Sequence, residues 1–239
     1  MKRKEKNMLE EELAQSRIII ERFARSCSHD LRAPLASIQG LTEVARRANA
    51  EDLSNCLDLI QSSAKKMTAM IRSLEVYMTH SQRELSCDEL DANDMVGIIL
   101  SEYEPAIKDN GIRVITNIDQ NHRWISDREC NFMILKNVIG NAIHFADHEK
   151  EVKQIDINAR SNNKGMLFHV RDNGIGIGEQ EQKLIFQPFF RASLQSHGGL
   201  GLFLVKTLTK KIGAELVIHS HEQKGTTCSI VIPNLKKAS

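Results

Sequence analysis

The chain reads as a multi-domain protein made of two folds in series. The first is an all-α helical hairpin that pairs with a second copy into a dimeric four-helix bundle. The second is an α/β sandwich with helices on one face of a mixed sheet. Three observations carry this expectation. Apolar residues recur at steps of three and four through the first third of the chain. Beyond about Cys87, strand-length alternating segments interleave with helical ones. The helical period breaks at the polar stretch His80-Ser81-Gln82-Arg83, a natural linker, and 239 residues suit two domains.

The first helix carries the most unusual residues. Its apolar positions begin at Leu9 and Leu13 and continue through Ile20, Phe23 and Cys27, the spacing of a coiled-coil seam. With Leu31 as zero and roughly 100° per residue, Leu35, Ile38, Leu41 and Ala45 extend the same stripe. His29 then falls about 160° away, near the centre of the wet face, with Asp30 beside it at the stripe's edge. Pro34 lacks an N–H, so the helix is expected to bend one turn after the histidine. It should end near Arg46-Arg47, where two cations suit a helix C-terminus.

Asn49, three residues before Asp52, reads as the cap of the next helix. There Leu53, Leu57, Ile60, Ala64, Met67, Ile71, Leu74 and Met78 alternate steps of four and three. Two such helices leave one broad apolar face with no core of its own, which a second copy would cover, so a homodimer is expected.

In the second domain a helix is expected over Asn93–Lys108, closing at Asn110-Gly111, with Pro105 disturbing its last turn. Strands follow over Ile112–Ile118 and Trp124–Ser126, then a helix from Asp127 to Phe145. Strands over Gln154–Ala159 and Met166–Arg171 lead into a glycine-rich loop. Helix Leu200–Ile212 and strands Glu215–Ser220 and Thr227–Ile232 complete the pattern.

Composition narrows the function classes. A formal charge of +1 argues against a nucleic-acid binder held by bulk charge. Five widely spaced cysteines without a CxxC pair suggest neither a disulfide framework nor a zinc site and fit a reducing cytoplasm; Cys27 is expected to be a buried structural thiol. No transmembrane run or signal peptide is present, and the cluster Lys2, Arg3, Lys4 and Lys6 reads as a solvated helix end.

The glycine segment Asp172-Asn173-Gly174-Ile175-Gly176-Ile177-Gly178 follows a strand directly. Alternate glycines let backbone approach a ligand. The spacing matches neither the P-loop nor the dinucleotide fingerprint. A second cluster, Gly198-Gly199-Leu200-Gly201-Leu202, opens a helix, where free N–H groups favour phosphate. Between them lies Ile185-Phe186-Gln187-Pro188-Phe189-Phe190-Arg191, an apolar latch with a cation. Asn137 and Asn141 are four apart, so their amides share one helix face.

The octapeptide Ser28–Leu35 resembles the phosphoacceptor box of bacterial sensor histidine kinases. The paired asparagines, both glycine clusters, the intervening aromatic segment and Gly225-Thr226-Thr227 are similar, in the same order, to the ATP-binding boxes of the GHKL (Bergerat) fold. The resemblance runs from about Phe23 to Pro233. It implies a coiled-coil signalling helix at 1–22, a dimerisation and phosphotransfer hairpin at 23–82, a catalytic ATP-binding domain at 83–234 and a tail at 235–239.

It also implies roles. His29 would take the γ-phosphoryl group of ATP with Asp30 assisting, and pass it to an aspartate of a separate response regulator. Asp172 would accept the adenine amino group and Phe145 would lie against the ring. Asn141 would hold Mg²⁺, and Asn137, His144, Arg191 and Thr226 would complete the ATP site. Gly174, Gly176, Gly199 and Gly201 would give backbone room, with Leu200 and Leu202 opening the phosphate-facing helix. The location implied is cytoplasmic, as a free protein or the cytoplasmic portion of a membrane-anchored sensor whose sensor domain is not in this chain.

Three departures stand out. His144 replaces a common Lys, and the segment between Phe190 and Gly198 is short. Ala33 lacks the polar atom associated with dephosphorylating a partner. Two alternatives are a nucleotide-binding signalling dimer without kinase activity and an ATP-hydrolysing clamp. The clamp is disfavoured because Asn137 stands where such ATPases commonly carry a Glu.

Overall fold

A computed structural model of the chain describes residues 31–188, 190 and 200–236. His29, Asp30 and Cys27 therefore lie outside the described residues, as do Arg191 and Gly199. The chain divides into two compact units, the first taking the residues up to Leu74 together with Leu200, the second the remaining described residues from Glu75 onward.

In the first unit, helix α1 covers residues 31–45 and includes Pro34. Its last bonds run from the Arg46 and Arg47 amides to the carbonyls of Thr42 and Val44. Asn49 caps helix α2 (Ala50–Gln82), its Oδ1 accepting from the Asp52 amide at 2.9 Å. Leu35, Leu53, Leu57 and Ile71 of this apolar seam are exposed in the single chain, while Ile60 and Met67 are half-buried. Of the expected linker His80-Ser81-Gln82-Arg83, the first three residues are instead the last turn of α2 and Arg83 lies just beyond it. The apolar period of the sequence ends there while the helix continues.

The second unit opens with strand β1 (Asp88–Leu90), which pairs antiparallel with β3 (Trp124–Ser126). The helix expected over Asn93–Lys108 is two helices, α3 (Ala92–Glu102) and α4 (Glu104–Asp109). Pro105 occupies the first turn of α4, where its missing N–H costs nothing but the preceding helix must stop. Strands β2 (Ile112–Asp119), β4 (Lys153–Asn162), β5 (Gly165–Asp172), β6 (Glu215–His221) and β7 (Gly225–Pro233) form one sheet in the order β2-β4-β5-β7-β6. The β2–β4 pair is parallel and the others antiparallel, which makes the sheet mixed.

One face of this sheet is apolar. Ile157, Val170, Cys228 and Ile218 stand in one cross-strand row, and Ala159, Phe168, Ile230 and Leu216 in the next. They pack with residues of α3, α5 (Arg128–His144) and α7 (Gly201–Lys211) in a single core. Asn158, Arg160, Arg171 and Val231 alternate onto the other face and are exposed. Each large side chain buried this way contributes about 1.5–3 kcal/mol, which fixes α5 and α7 against the sheet. A short helix, α6 (Glu179–Gln182), follows the glycine loop. Burial pushes the Cys130 and Cys228 thiols up to about 12, so both are structural, unreactive groups.

Candidate functional site

Helix α5 begins at a buried carboxylate. Asp127 caps it, Oδ1 accepting from the Cys130 amide at 2.8 Å, and is wholly removed from solvent. Arg83 donates to both carboxylate oxygens at 2.5 Å, and the Ser86 amide reaches Oδ2 at 2.7 Å. Burial works to raise the Asp127 carboxyl, but the Cys130 and Ser86 bonds together with Arg83 hold it below the ordinary carboxylate range.

From that anchor α5 turns Ile134, Leu135, Val138, Ile139, Ala142 and Ile143 into the core and leaves Asn137 and Asn141 half-buried at its margin. Asn137 donates through Nδ2 to the Met133 carbonyl at 2.7 Å. Its Oδ1 lies 2.9 Å from where a Cβ on Gly201 would stand. Any side chain there would displace the amide, which is why the first residue of α7 is glycine. Leu202 shares that first turn, half-buried, and Leu200 directly precedes it.

The helix ends where the Phe145 amide bonds the Asn141 carbonyl at 2.9 Å. The Phe145 carbonyl then accepts from Ile175 at 3.1 Å, joining the asparagine helix to the glycine loop. A Cβ on Gly174 would stand 2.2 Å from that same oxygen. His144 is exposed, and its ring meets Phe145 edge to face at 5.1 Å. Gly176 takes φ +70°, with the His221 carbonyl 2.0 Å from its would-be Cβ.

Asp172 closes β5 inside this ring of backbone. Its Oδ1 accepts from the Gly174 amide at 2.8 Å and from the Thr226 amide at 3.1 Å. Among the described residues no other residue donates a hydrogen bond to its Oδ2. Burial pushes this carboxyl above the ordinary range, against the pull of the Gly174 and Thr226 amides, of Lys150 and of its own backbone amide. Gly225, at φ +102°, brings the β6–β7 turn so close that a Cβ would stand 2.2 Å from the Asp172 carbonyl. Asp172, Phe145, Gly174 and Thr226 are thus brought together beside Gly176, Asn141 is joined to them through its backbone carbonyl at Phe145, and Asn137 meets Gly201 at the start of α7.

Several residues that hold this arrangement escaped the sequence reading. Asn173 extends the β4–β5 edge: its Oδ1 accepts from Gln154 N at 2.8 Å and its Nδ2 donates to the Val152 carbonyl at 2.8 Å. Ser220 Oγ accepts from the Ile177 amide at 2.8 Å and pairs with Thr226 Oγ1 at 2.8 Å. Gln182 donates to the carbonyls of Ile177 and Ser220. Lys150 reaches the carbonyls of Asn173 and Gln223.

These residues fit an adenine nucleotide. An incompletely bonded carboxylate oxygen suits an exocyclic amino group, and the glycines leave backbone close enough to touch a planar ring or phosphates. Among the described residues no three His, Cys, Asp or Glu side chains group as they would around a metal ion.

Residues 127–236 match the family described as histidine kinase-, DNA gyrase B-, and HSP90-like ATPase, and residues 19–80 match the His Kinase A (phospho-acceptor) domain. The autoinducer 2 sensor kinase/phosphatase LuxQ of Vibrio vulnificus is 28% identical over 96% of this chain, which spans 28% of LuxQ. The signal transduction histidine-protein kinase BarA of Escherichia coli is 28% identical over 86% of the chain, which spans 24% of BarA. The chain therefore spans about a quarter of these relatives' length. Among solved structures, the histidine kinase ThkA in complex with the response regulator protein TrrA gives a TM-score of 0.76 at 20% identity, covering 96% of this chain and 66% of that one. The Acinetobacter baumannii histidine kinase AdeS gives 0.64 at 17% identity over 87% of this chain and 98% of that one. These structural likenesses establish the fold. Among the described residues no helix is long and apolar enough to cross a membrane.

Proposed function

The chain belongs to the two-component sensor histidine kinases, and on that premise we propose that it binds ATP at Asp172 and phosphorylates its own His29. The observation that supports this most is the Asp172 carboxylate, held on Oδ1 by two amides while Oδ2 stays open to an outside donor. That is the acceptor an adenine amino group needs. A purine carrying a 6-oxo group would present an acceptor instead and be rejected.

In this reading Phe145 lies against the adenine. Asn137, Asn141, His144, Arg191 and Thr226 complete the ATP site, with the N-terminus of α7, at Gly201–Leu202, facing phosphate oxygens and Gly199 giving backbone room. Mg²⁺ bound at Asn141 would neutralise charge on the phosphates, an amide oxygen serving because it adds no negative charge there. Asp30 accepts the Nδ1 proton of His29, freeing Nε2 to displace ADP from the γ-phosphoryl group. Such general-base help is worth about 10²–10⁴-fold, and placement of the reacting atoms supplies much of the remainder.

The phosphoryl group then passes to an aspartate on a response regulator in trans. The exposed seam of α1 and α2 pairs two copies into a four-helix bundle, with 1–22 delivering the signal of a sensor domain. Residues 23–82 form the phosphotransfer hairpin, 83–234 the catalytic domain and 235–239 a tail, and the protein acts in the cytoplasm or at its membrane face.

Incubation with γ-labelled ATP tests this. Wild type should gain acid-labile, base-stable label, His29→Gln should gain none while still binding ATP, and Asn141→Ala should lose label through loss of metal-nucleotide. Label that persists in His29→Gln would remove His29 from the role. ATP binding without label in wild type would make the chain a non-catalytic signalling dimer.

A further inference from the structure

We infer that Lys150 is a positioning residue for the nucleotide loop: its ammonium fills a seat of backbone carbonyls that a small monovalent cation can fill in its place. Three carbonyl oxygens from two separate segments converge on Lys150 Nζ, those of Asn173 at 2.5 Å, Gly174 at 3.3 Å and Gln223 at 2.7 Å. Asp147 Oδ2 lies 3.7 Å away and completes the charge balance.

The turn that presents the lysine is itself built. The Lys150 amide bonds the Asp147 carbonyl, and Asp147 Oδ1 accepts from the Glu149 amide at 3.0 Å. Opposite it, Gln223 sits in the left-handed region at φ +61°, a conformation a non-glycine residue rarely adopts, and in it turns its carbonyl to the ammonium. The Gln223 amide bonds Ile175 at 2.6 Å, so the two segments are also tied directly.

The consequence concerns Asp172. That carboxylate accepts from Gly174 on one segment and Thr226 on the other, so its Oδ2 points where the two segments hold it. Three carbonyl dipoles aimed at one point repel one another unless a positive charge sits there. Lys150 supplies the charge as a compact ammonium, whereas a planar guanidinium presents its donors in a rigid fork. The effect on ATP rests on the nucleotide reading above; the seat itself does not.

The test uses the full chain with Lys150→Ala and Lys150→Arg, titrating ATP and following amide hydrogen exchange in sodium chloride and in ammonium chloride of equal ionic strength. Lys150→Ala should bind ATP about tenfold more weakly, the scale expected for net loss of charged-donor hydrogen bonds. Exchange at Gly174 and Ile175 should quicken. Ammonium should reverse both changes in Lys150→Ala and leave wild type unmoved, while Lys150→Arg should stay impaired. A Lys150→Ala protein that binds ATP like wild type, or one whose loss ammonium does not relieve, overturns the inference. Wild type that takes no ATP would overturn the nucleotide reading instead, and the exchange arm would still decide the seat.

Discussion

Asp127 and Asp172 are both drawn into the interior of the α/β unit, yet their titrations are displaced in opposite directions. At Asp127 both oxygens are engaged, by Arg83, by the Cys130 and Ser86 amides and by the Ser86 hydroxyl at 3.2 Å. At Asp172 the Gly174 and Thr226 amides share one oxygen, and among the described residues no other residue donates to the second. Two carboxylates in one core therefore teach how to tell a joint from a binding site. A carboxylate the fold needs is saturated by the fold. In the function proposed above, Asp172 is the contrasting case, desolvated in advance and left short of a donor that the nucleotide would supply.

The largest break should come at the joint. Asp127→Ala strips the cap from α5 and leaves Arg83 half-paired, which should lower unfolding stability by about 3 kcal/mol. Urea titration followed by Trp124, the chain's one tryptophan and fully buried in this unit, reads it directly. Gly225→Ala should follow, at about 2 kcal/mol or more, because φ +102° is closed to alanine and the methyl would meet the Asp172 carbonyl. Unlike the first variant it should also weaken ATP, since it moves Thr226.

Asp172→Asn separates stability from binding. The amide oxygen still accepts from Gly174 and Thr226, so the fold should hold or gain slightly, while ATP affinity falls by about 1.5–3 kcal/mol. The pH profile gives the sign. The folded Asp172 carboxyl titrates above its unfolded value, so ionising it costs stability above that raised value, and the cost lifts as pH falls through the window down to the unfolded value near 3.8. Any advantage of Asp172→Asn over wild type should shrink in that window. Asp127 runs the other way: its contribution is full above 3.8 and disappears only below it, as pH falls through its lowered folded value. The smallest effect serves as a control. Gly97 lies inside α3 with nothing within 4 Å of a new Cβ, so Gly97→Ala should stabilise by about 0.5–1 kcal/mol and leave ATP untouched.

What could be read from the residues alone follows the range of each interaction. The α2 seam, the Asn49 and Asp127 starts and the alternating strands are local patterns, and the structure has them. Asp172, Asn141 and Phe145 come together because strand, helix end and glycine loop keep their order along the chain. The three-residue strand β1 is too short to show a period, and the end of α2 is helical without an apolar face. Lys150, Ser220 and Gln182 hold backbone groups 23 to 73 residues away or lie in turns whose pairing only the sheet register creates. No spacing in the sequence announces such a bond.

The contrast between the two carboxylates rests on what the open oxygen of Asp172 receives. Titration calorimetry of wild type and Asp172→Asn with ATP and with inosine triphosphate, which carries a 6-oxo group in place of the amino group, addresses that atom directly. ATP should bind wild type at least about tenfold more tightly than inosine triphosphate, the worth of one hydrogen bond to a charged group, and Asp172→Asn should lose the preference. Equal affinity of wild type for the two nucleotides would contradict the assignment of Asp172 and with it the account of the site.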